Sequence, residues 1–180
     1  MAVTFTPGGA NDDALTTLVF FQSHCASLGR DLSAHDESAQ EQAIRRGTVW
    51  VEGLGARSKE LATRWPGKKA SSAQRRQFPR AGGAYVDGTP LDPETVPAAV
   101  QEAVCEAAYF HLIKPGVLDA AISLASQVSA RKLGPLSQTF EGAGSVEDVR
   151  TVLTTVEDLL APIFVRPVSG GQVWLGAIGS

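Results

Sequence analysis

Hydrophobic residues recur at intervals of three and four in four separate stretches of the chain, which is the spacing of one buried face of an α-helix. The most continuous of these stripes comprises Val96, Val100, Val104, Ala107, Ala108 and Leu112. The pattern predicts a helix that follows Pro93, accepts Pro97 in its first turn, and stops before Pro115. We expect this third helix to lie at the centre of the core.

Capping residues delimit the two helices that precede it. The first helix is predicted from Ala14 to Gly29, because Asn11–Asp13 supply N-cap side chains and glycine is the usual C-cap. The second helix is predicted to start at Asp36 or Ser38 and to run to Gly55. Its start is indicated by Ser38 and a glutamate three residues later, which resemble a capping box.

A last helix is predicted from Ser145 to Pro162, because Glu147 and Asp148 suit its positive N-terminal end. Before it, residues 117–127 are compatible with a further helical extension. Residues 128–141 turn at Gly134-Pro135 and are assigned to a weak β-hairpin.

Between residues 58 and 95 the helical period is lost, and repeated prolines and glycines exclude a continuous helix. A loop of this length in a compact domain is usually functional. From Arg64 to Arg80 the loop contains six cations and no acidic residue, whereas the whole chain has a formal net charge of −3. The positive charge is therefore local, and so is whatever it binds.

With 180 residues and 43% hydrophobic composition, the chain fits one mainly α domain. We expect a small helical bundle of four to five helices over residues 1–163, with the basic loop 58–95 inserted, and an extended C-terminal arm over residues 164–180. The arm is glycine-rich yet carries apolar residues, and such a tail usually docks on a partner. No stretch approaches the roughly 18 apolar residues that a membrane helix needs, so no membrane partner is expected.

Two interpretations of the basic segment stay open. It is either a solvated loop or a contact surface for phosphates or for an acidic protein. Trp65, Phe78 and Tyr85 alternate with the cations, and this composition also suits stacking on unpaired bases. The contact candidates are Arg64, Trp65, Lys68, Lys69, Arg75, Arg76, Phe78 and Arg80, together with Val173, Trp174 and Leu175 of the arm.

Catalytic and phosphate-loop motifs are absent from the sequence, so we expect neither an enzyme nor a cofactor. His24 adjoins Cys25, but neighbours on a helix do not face each other. Three scattered histidines do not make a metal site, and His111 suits a structural position at the negative end of the third helix. Cys25 and Cys105 are expected to be buried, reduced thiols, with a disulfide as the minor alternative.

Several short motifs occur together in a defined order. They are Trp65-x-Gly67, Gln74, Phe78-Pro79-Arg80, Asp87-Gly88, Val96-Pro97, Leu133-Gly134-Pro135-Leu136 and Leu159-Leu160-Ala161-Pro162, preceded by Ile44, Thr48, Trp50, Val51 and Glu52 in the second helix. In this arrangement the chain resembles, over about residues 10–164, the adaptor (head-tail connector) proteins of tailed bacteriophages. Members of that family are often labelled DnaT-like single-stranded DNA-binding proteins. The chain departs from the family at Phe78, where tryptophan is usual, and at Arg75 and Arg76, where an apolar residue is usual after the glutamine.

The resemblance implies a structural protein of the virion neck, made in the host cytoplasm. Its subunits would form a homo-oligomeric ring, typically a dodecamer, that docks under the portal protein and contacts other neck or tail proteins. Double-stranded DNA would pass through the lumen with weak, non-specific contacts.

The family label implies an alternative, a replication-type module that binds single-stranded DNA. Such a module should bind free oligonucleotides through exposed aromatic side chains, whereas an adaptor should bind DNA weakly and the portal ring strongly. For the adaptor we expect a subunit that forms a ring only on a portal template, with a loop from Trp65 to Pro93 that becomes ordered on assembly.

Overall fold

The computed structural model of the chain describes residues 2–56, 64–118 and 146–164. Within these ranges the chain forms four α-helices and two short strands: α1 (Leu18–Ser27), α2 (Glu37–Ala56), β1 (Lys68–Lys69), β2 (Arg80–Ala81), α3 (Ala98–Ile113) and α4 (Val146–Leu160). The prediction of a mainly α, small helical bundle is confirmed. The predicted hairpin over 128–141, most of the extension over 117–127 and the arm beyond Phe164 lie outside the described residues.

α1 begins at Leu18 rather than at the predicted Ala14. Thr17 is the N-cap, with extended backbone, and its hydroxyl accepts a hydrogen bond from Phe20 N at 3.1 Å. Just before it, Leu15 N donates to Thr48 Oγ1 of α2 at 3.2 Å. Because this amide is bound to another helix, the residues that precede Thr17 are held against α2 and do not join α1. The predicted end at Gly29 is confirmed, since Gly29 follows the helix with a left-handed φ of 68°.

Most ends of the other three helices agree with their predicted capping and breaking residues. α2 runs one residue past the predicted Gly55, to Ala56, and Ser145, the predicted cap of α4, lies outside the described residues. Asp36 Oδ1 accepts a hydrogen bond from Ala39 N at 2.7 Å, which is the N-cap contact of α2. α3 starts at Ala98, later than predicted, because Pro97 is its N-cap and does not lie in its first turn. α3 ends before Pro115 and α4 ends before Pro162, as predicted. These ends could be predicted because a cap acts within a few residues of the chain.

α3 lies at the centre of the core, as predicted. It packs against α1, α2 and α4, and its most extensive contact is with α2. Close approach to α2 depends on Gly47, because a Cβ at this position would lie 2.8 Å from Val104 O and 3.0 Å from Ala108 N of α3. The two helix backbones are therefore nearly in contact at Gly47.

The segment after Arg64 folds back into this core instead of standing away from it. Trp65 and Phe78 are 2% and 1% exposed, and their rings meet edge to face with centroids 5.0 Å apart. Trp65 also packs on Phe164 at 4.8 Å and fills the space beside Gly55, where a Cβ would overlap the indole ring. The single chain thus supplies a packing surface for the described part of the loop, and the expectation that the loop becomes ordered on assembly stays a prediction.

Three further points of the sequence analysis concern cysteines, membrane spans and metal sites in the described residues. Cys25 and Cys105 are both free and buried, which confirms the prediction of reduced thiols. Over residues 2–56, 64–118 and 146–164, no helix has the length and apolar character to cross a membrane. In the same ranges, no group of histidine, cysteine and acidic side chains could hold a metal ion.

Candidate nucleic-acid interface

The cations of the basic loop have three different environments, and Arg80 is the most buried of them. Its guanidinium donates from Nε to Pro66 O at 2.6 Å and from Nη2 to Gly67 O at 2.8 Å. Nη1 donates to Gln77 O at 3.2 Å. Burial lowers the pKa of the Arg80 side chain from its ordinary value. Arg80 therefore fixes the antiparallel β1–β2 pair and is not accessible to a partner.

Arg64 is directed towards α4. Its Nη1 lies 3.1 Å from Glu157 Oε1, and the guanidinium lies 3.8 Å from the centroid of the Phe164 ring. Both contacts join the start of the loop to α4 and to the residues that follow it. Arg64 is thus part of the internal packing, although it remains partly exposed.

The two aromatic contact candidates of the loop are not available for stacking on bases. Trp65 and Phe78 lie inside the hydrophobic core, and Trp65 Nε1 donates to Glu52 O at 3.3 Å. A base can stack only on a ring face that solvent can reach. The interpretation of Trp65 and Phe78 as base contacts is therefore wrong in this conformation of the chain.

The remaining cations of the loop lie on the surface around a turn organised by Gln74. The buried amide of Gln74 donates to Arg76 O at 2.9 Å and to Pro79 O at 3.0 Å, and it accepts from Ser71 N at 2.9 Å. Lys69 Nζ donates to two carbonyl oxygens of the same turn, Gln74 O at 3.3 Å and Arg75 O at 3.4 Å. Arg75 is exposed, and so is Lys68, which precedes Lys69 in β1. This turn presents positive charge to solvent, and hydrogen bonds from the Gln74 side chain hold its backbone.

The turn is attached to α2 by Arg76. Its Nη1 lies 3.2 Å from Glu52 Oε2, and its Nη2 donates to Asp13 O at 2.6 Å. The Asp13 carboxylate in turn binds Arg45 of α2, with Nε 2.5 Å from Oδ2. Burial alone would raise the pKa of the Asp13 carboxyl, but the hydrogen bonds from Arg45 and Thr4 N and the charges of Arg45 and Arg76 outweigh it and lower the pKa.

These contacts bring cations from the loop and from α2 onto one surface. We call this surface the cationic face, and it comprises Arg45, Lys69, Arg75 and Arg76. Asp13, Glu41 and Glu52 offset part of its charge through the pairs with Arg45 and Arg76. The face can hold phosphate groups as charge-assisted hydrogen-bond acceptors, since guanidinium and ammonium groups both donate to such oxygens.

Arg45 was not among the contact residues predicted from the sequence. Glu41, Arg45 and Glu52 are spaced by four and seven, so they share one face of α2, and this spacing was the available signal. The connection of Arg45 to the loop passes through Asp13, which lies far in sequence from both Arg45 and Arg76. Of the other predicted contacts, Val173, Trp174 and Leu175 lie outside the described residues.

A comparison with models of protein families identifies the family of the chain. Residues 1–176 match the model of the family described as "Putative DnaT-like ssDNA binding protein". No curated protein and no solved structure matches the chain. Because the family model spans nearly the whole sequence, the chain belongs to this family.

Proposed function

From its membership of the DnaT-like single-stranded DNA-binding family, we propose that the protein binds single-stranded DNA, with the cationic face in contact with the phosphate backbone. The observation that carries the proposal is the convergence of four cations on one surface of a chain with a net charge of −3. Fixed cations on a folded surface attract a polyanion without any change in the fold. This is a binding function, and no catalytic step belongs to it.

Binding of this kind depends on salt, because each phosphate that a cation neutralises releases a counterion. If Lys69 and Arg75 each neutralise one phosphate, the logarithm of the affinity should fall with the logarithm of salt concentration with a slope of about −1.4. Arg45 and Arg76 should add less, since each already lies beside a carboxylate.

The test is a fluorescence anisotropy titration of a labelled single-stranded oligonucleotide with the full chain and with charge-reversal variants. Arg75→Glu should weaken binding about tenfold or more, because it replaces an attraction by a repulsion at an exposed position of the face. Arg150→Glu is the matched control, as Arg150 is exposed on α4 and lies outside the face. Equal effects of the two substitutions would show that only net charge matters, and the assignment to the cationic face would be abandoned.

The burial of Trp65 and Phe78 favours a second candidate, the adaptor ring subunit of a bacteriophage neck. Without those rings as a stacking platform, the face offers contacts to phosphates, which suit weak and non-specific binding of duplex DNA in a lumen. Under this proposal the protein binds a portal ring strongly, assembles with copies of itself and other neck proteins, and resides in the virion.

The two candidates differ in their partner. Mass photometry of the full chain with and without a portal ring, at physiological salt, should show a ring of subunits only with the portal if the protein is an adaptor. A single-strand-binding module should leave the portal unchanged and bind the oligonucleotide. Formation of a portal complex together with equal, weak affinities for single and double strands would favour the adaptor over the first proposal.

A further inference from the structure

Glu52 is an acidic residue that contacts the turn of the cationic face. It lies in the last part of α2, and its side chain is 15% exposed. Its Oε1 accepts a hydrogen bond from Gln77 N at 2.6 Å, and its Oε2 lies 3.2 Å from Arg76 Nη1. One carboxylate therefore binds two consecutive residues of the loop, one through its backbone and one through its side chain.

Arg76 is held from a second side by a backbone carbonyl. Its Nη2 donates to Asp13 O at 2.6 Å, and its side chain is 11% exposed. The guanidinium is thus fixed between the carboxylate of Glu52 and the segment that precedes α1. In this position Arg76 joins the loop to the bundle and offers little surface to a phosphate.

The residues that Glu52 binds follow directly on the exposed part of the turn. Lys69 Nζ donates to the carbonyl oxygens of Gln74 and Arg75, at 3.3 Å and 3.4 Å. These two carbonyls come just before Arg76 in the chain. A shift of the anchor at Arg76 would therefore move both carbonyls, and with them the ammonium group of Lys69. It would also move the exposed side chain of Arg75.

The Glu52 carboxylate has two effects of opposite sign on a bound strand. As a negative charge it repels phosphates, but Arg76 already offsets this charge within the pair. As an anchor it keeps Lys69 and Arg75 in one arrangement before the strand binds. Ordering one flexible side chain on binding lowers an affinity by roughly two- to tenfold. The anchor should outweigh the repulsion, because it acts on two cations at once.

We propose that Glu52 is a positioning residue of the cationic face and that its carboxylate, although negative, favours the binding of single-stranded DNA. The inference rests on the proposed binding of single-stranded DNA by this face. Glu52 does not touch the strand. It acts through Arg76 and Gln77 on the two cations that do, Lys69 and Arg75.

The test is a fluorescence anisotropy titration of a labelled single-stranded oligonucleotide with two variants of the full chain. Glu52→Gln keeps the length of the side chain and removes its charge, whereas Glu52→Asp keeps the charge and shortens the side chain by one methylene. Both should weaken binding, Glu52→Gln by about fivefold. Glu94→Gln is the matched control, because Glu94 is exposed, lies outside the contacts of the turn and loses the same charge. Its affinity should equal or slightly exceed that of the wild type.

The salt dependence of binding separates positioning from a general loss of stability. With Lys69 and Arg75 held together, the slope should be about −1.4, and in Glu52→Gln it should fall in magnitude to about −0.7 as one phosphate contact is lost. The titrations are made at a temperature at which circular dichroism shows each variant to be folded. A variant that is only less stable should keep the wild-type affinity and slope, and this result would overturn the proposal.

The remaining outcomes separate the positioning role from the function on which it rests. Tighter binding by Glu52→Gln than by Glu94→Gln, with a steeper slope, would show that the carboxylate only competes with phosphates for Arg76. This result would overturn the proposal and keep the binding function. If Glu52→Gln does not fold, Glu52→Asp decides in the same way, since its net charge equals that of the wild type. Absence of binding by the wild type would remove the proposed function and the positioning role together.

Discussion

Glu106 is the buried charge around which α1 and α3 are joined. Its carboxylate is 3% exposed and binds both terminal nitrogens of Arg30, each at 2.8 Å, and His24 Nε2 at 2.8 Å. The Arg30 guanidinium also lies 4.3 Å from the centroid of the Tyr109 ring. Burial alone would raise the pKa of the Glu106 carboxyl, but the hydrogen bonds from Arg30 and His24 outweigh it and lower the pKa.

Replacement of Glu106 by glutamine should destabilise the fold by about 3 kcal/mol, because breaking a buried ion pair leaves a charge without its partner. The folded-state pKa of Glu106 lies below its unfolded value, so its contribution is fully present above the unfolded pKa of about 4.3. The contribution is lost as the pH falls through the folded-state pKa. Urea unfolding of the wild type and of Glu106→Gln between about pH 3 and about pH 7 measures this effect. The difference between their free energies of unfolding should become smaller as the pH falls.

Glu102→Gln provides the control for this series, since Glu102 lies on the same helix and is only half-buried. It should change the free energy of unfolding by less than about 0.5 kcal/mol at neutral pH. If the two substitutions have the same effect, or if the effect of Glu106→Gln does not depend on pH, the ion pair does not stabilise the junction of α1 with α3.

At the scale of the elements, the contact between α2 and α3 depends on a residue without a side chain. A methyl group at Gly47 would meet backbone atoms of α3, which cannot turn aside as a flexible side chain can. The helices would have to separate along the interface that forms the largest part of the core. Helix propensity alone predicts the opposite sign, because alanine favours a helix by roughly 1 kcal/mol over glycine.

Gly47→Ala should therefore destabilise the protein by about 2 kcal/mol, the usual effect of overpacking a close contact. Chemical unfolding followed by far-ultraviolet circular dichroism measures this change. Gln42→Ala, at an exposed position of the same helix, should be neutral within about 0.5 kcal/mol. A more stable Gly47→Ala protein would show that propensity dominates and that α2 and α3 can move apart without loss.

The helices could be predicted from the sequence because their signals are local. Asp36, Gly29 and Pro97 each act on residues within one turn, and the stripe of α3 repeats within a single segment. Which side chains of the basic loop are buried or paired could not be predicted in this way. Trp65 packs against Gly55 and Phe164, and Arg76 binds Glu52 and Asp13, so burial of the aromatic side chains and pairing of the cations depend on partners distant in sequence. Composition located the positive charge correctly but could not say which cations reach solvent.

At the scale of the whole molecule, the loop ties separate parts of the chain together. Arg64 N donates to Gly55 O of α2 at 2.7 Å, and Val86 N donates to Pro162 O after α4 at 2.8 Å. Leu91, itself buried, closes a turn within the loop through its N–H to Gly83 O at 2.9 Å. The loop is thus bonded to the bundle at both ends, and we expect its exposed cations to rest on this framework before any partner binds.

This arrangement predicts the pattern of hydrogen exchange in the free protein. The amides of Arg64, Val86 and Leu91 should exchange slowly, because each is bonded to a carbonyl that other parts of the fold hold in place. The amide of Thr89 should exchange rapidly, since it donates to the side chain of Asp87 at an exposed turn. Exchange resolved by residue with nuclear magnetic resonance, without DNA or any partner, makes the comparison within one sample.

If the amides of Arg64 and Leu91 exchange as fast as that of Thr89 and become protected only when DNA or a portal ring is added, the loop orders on binding. Its cations would then not form a fixed face in the free chain.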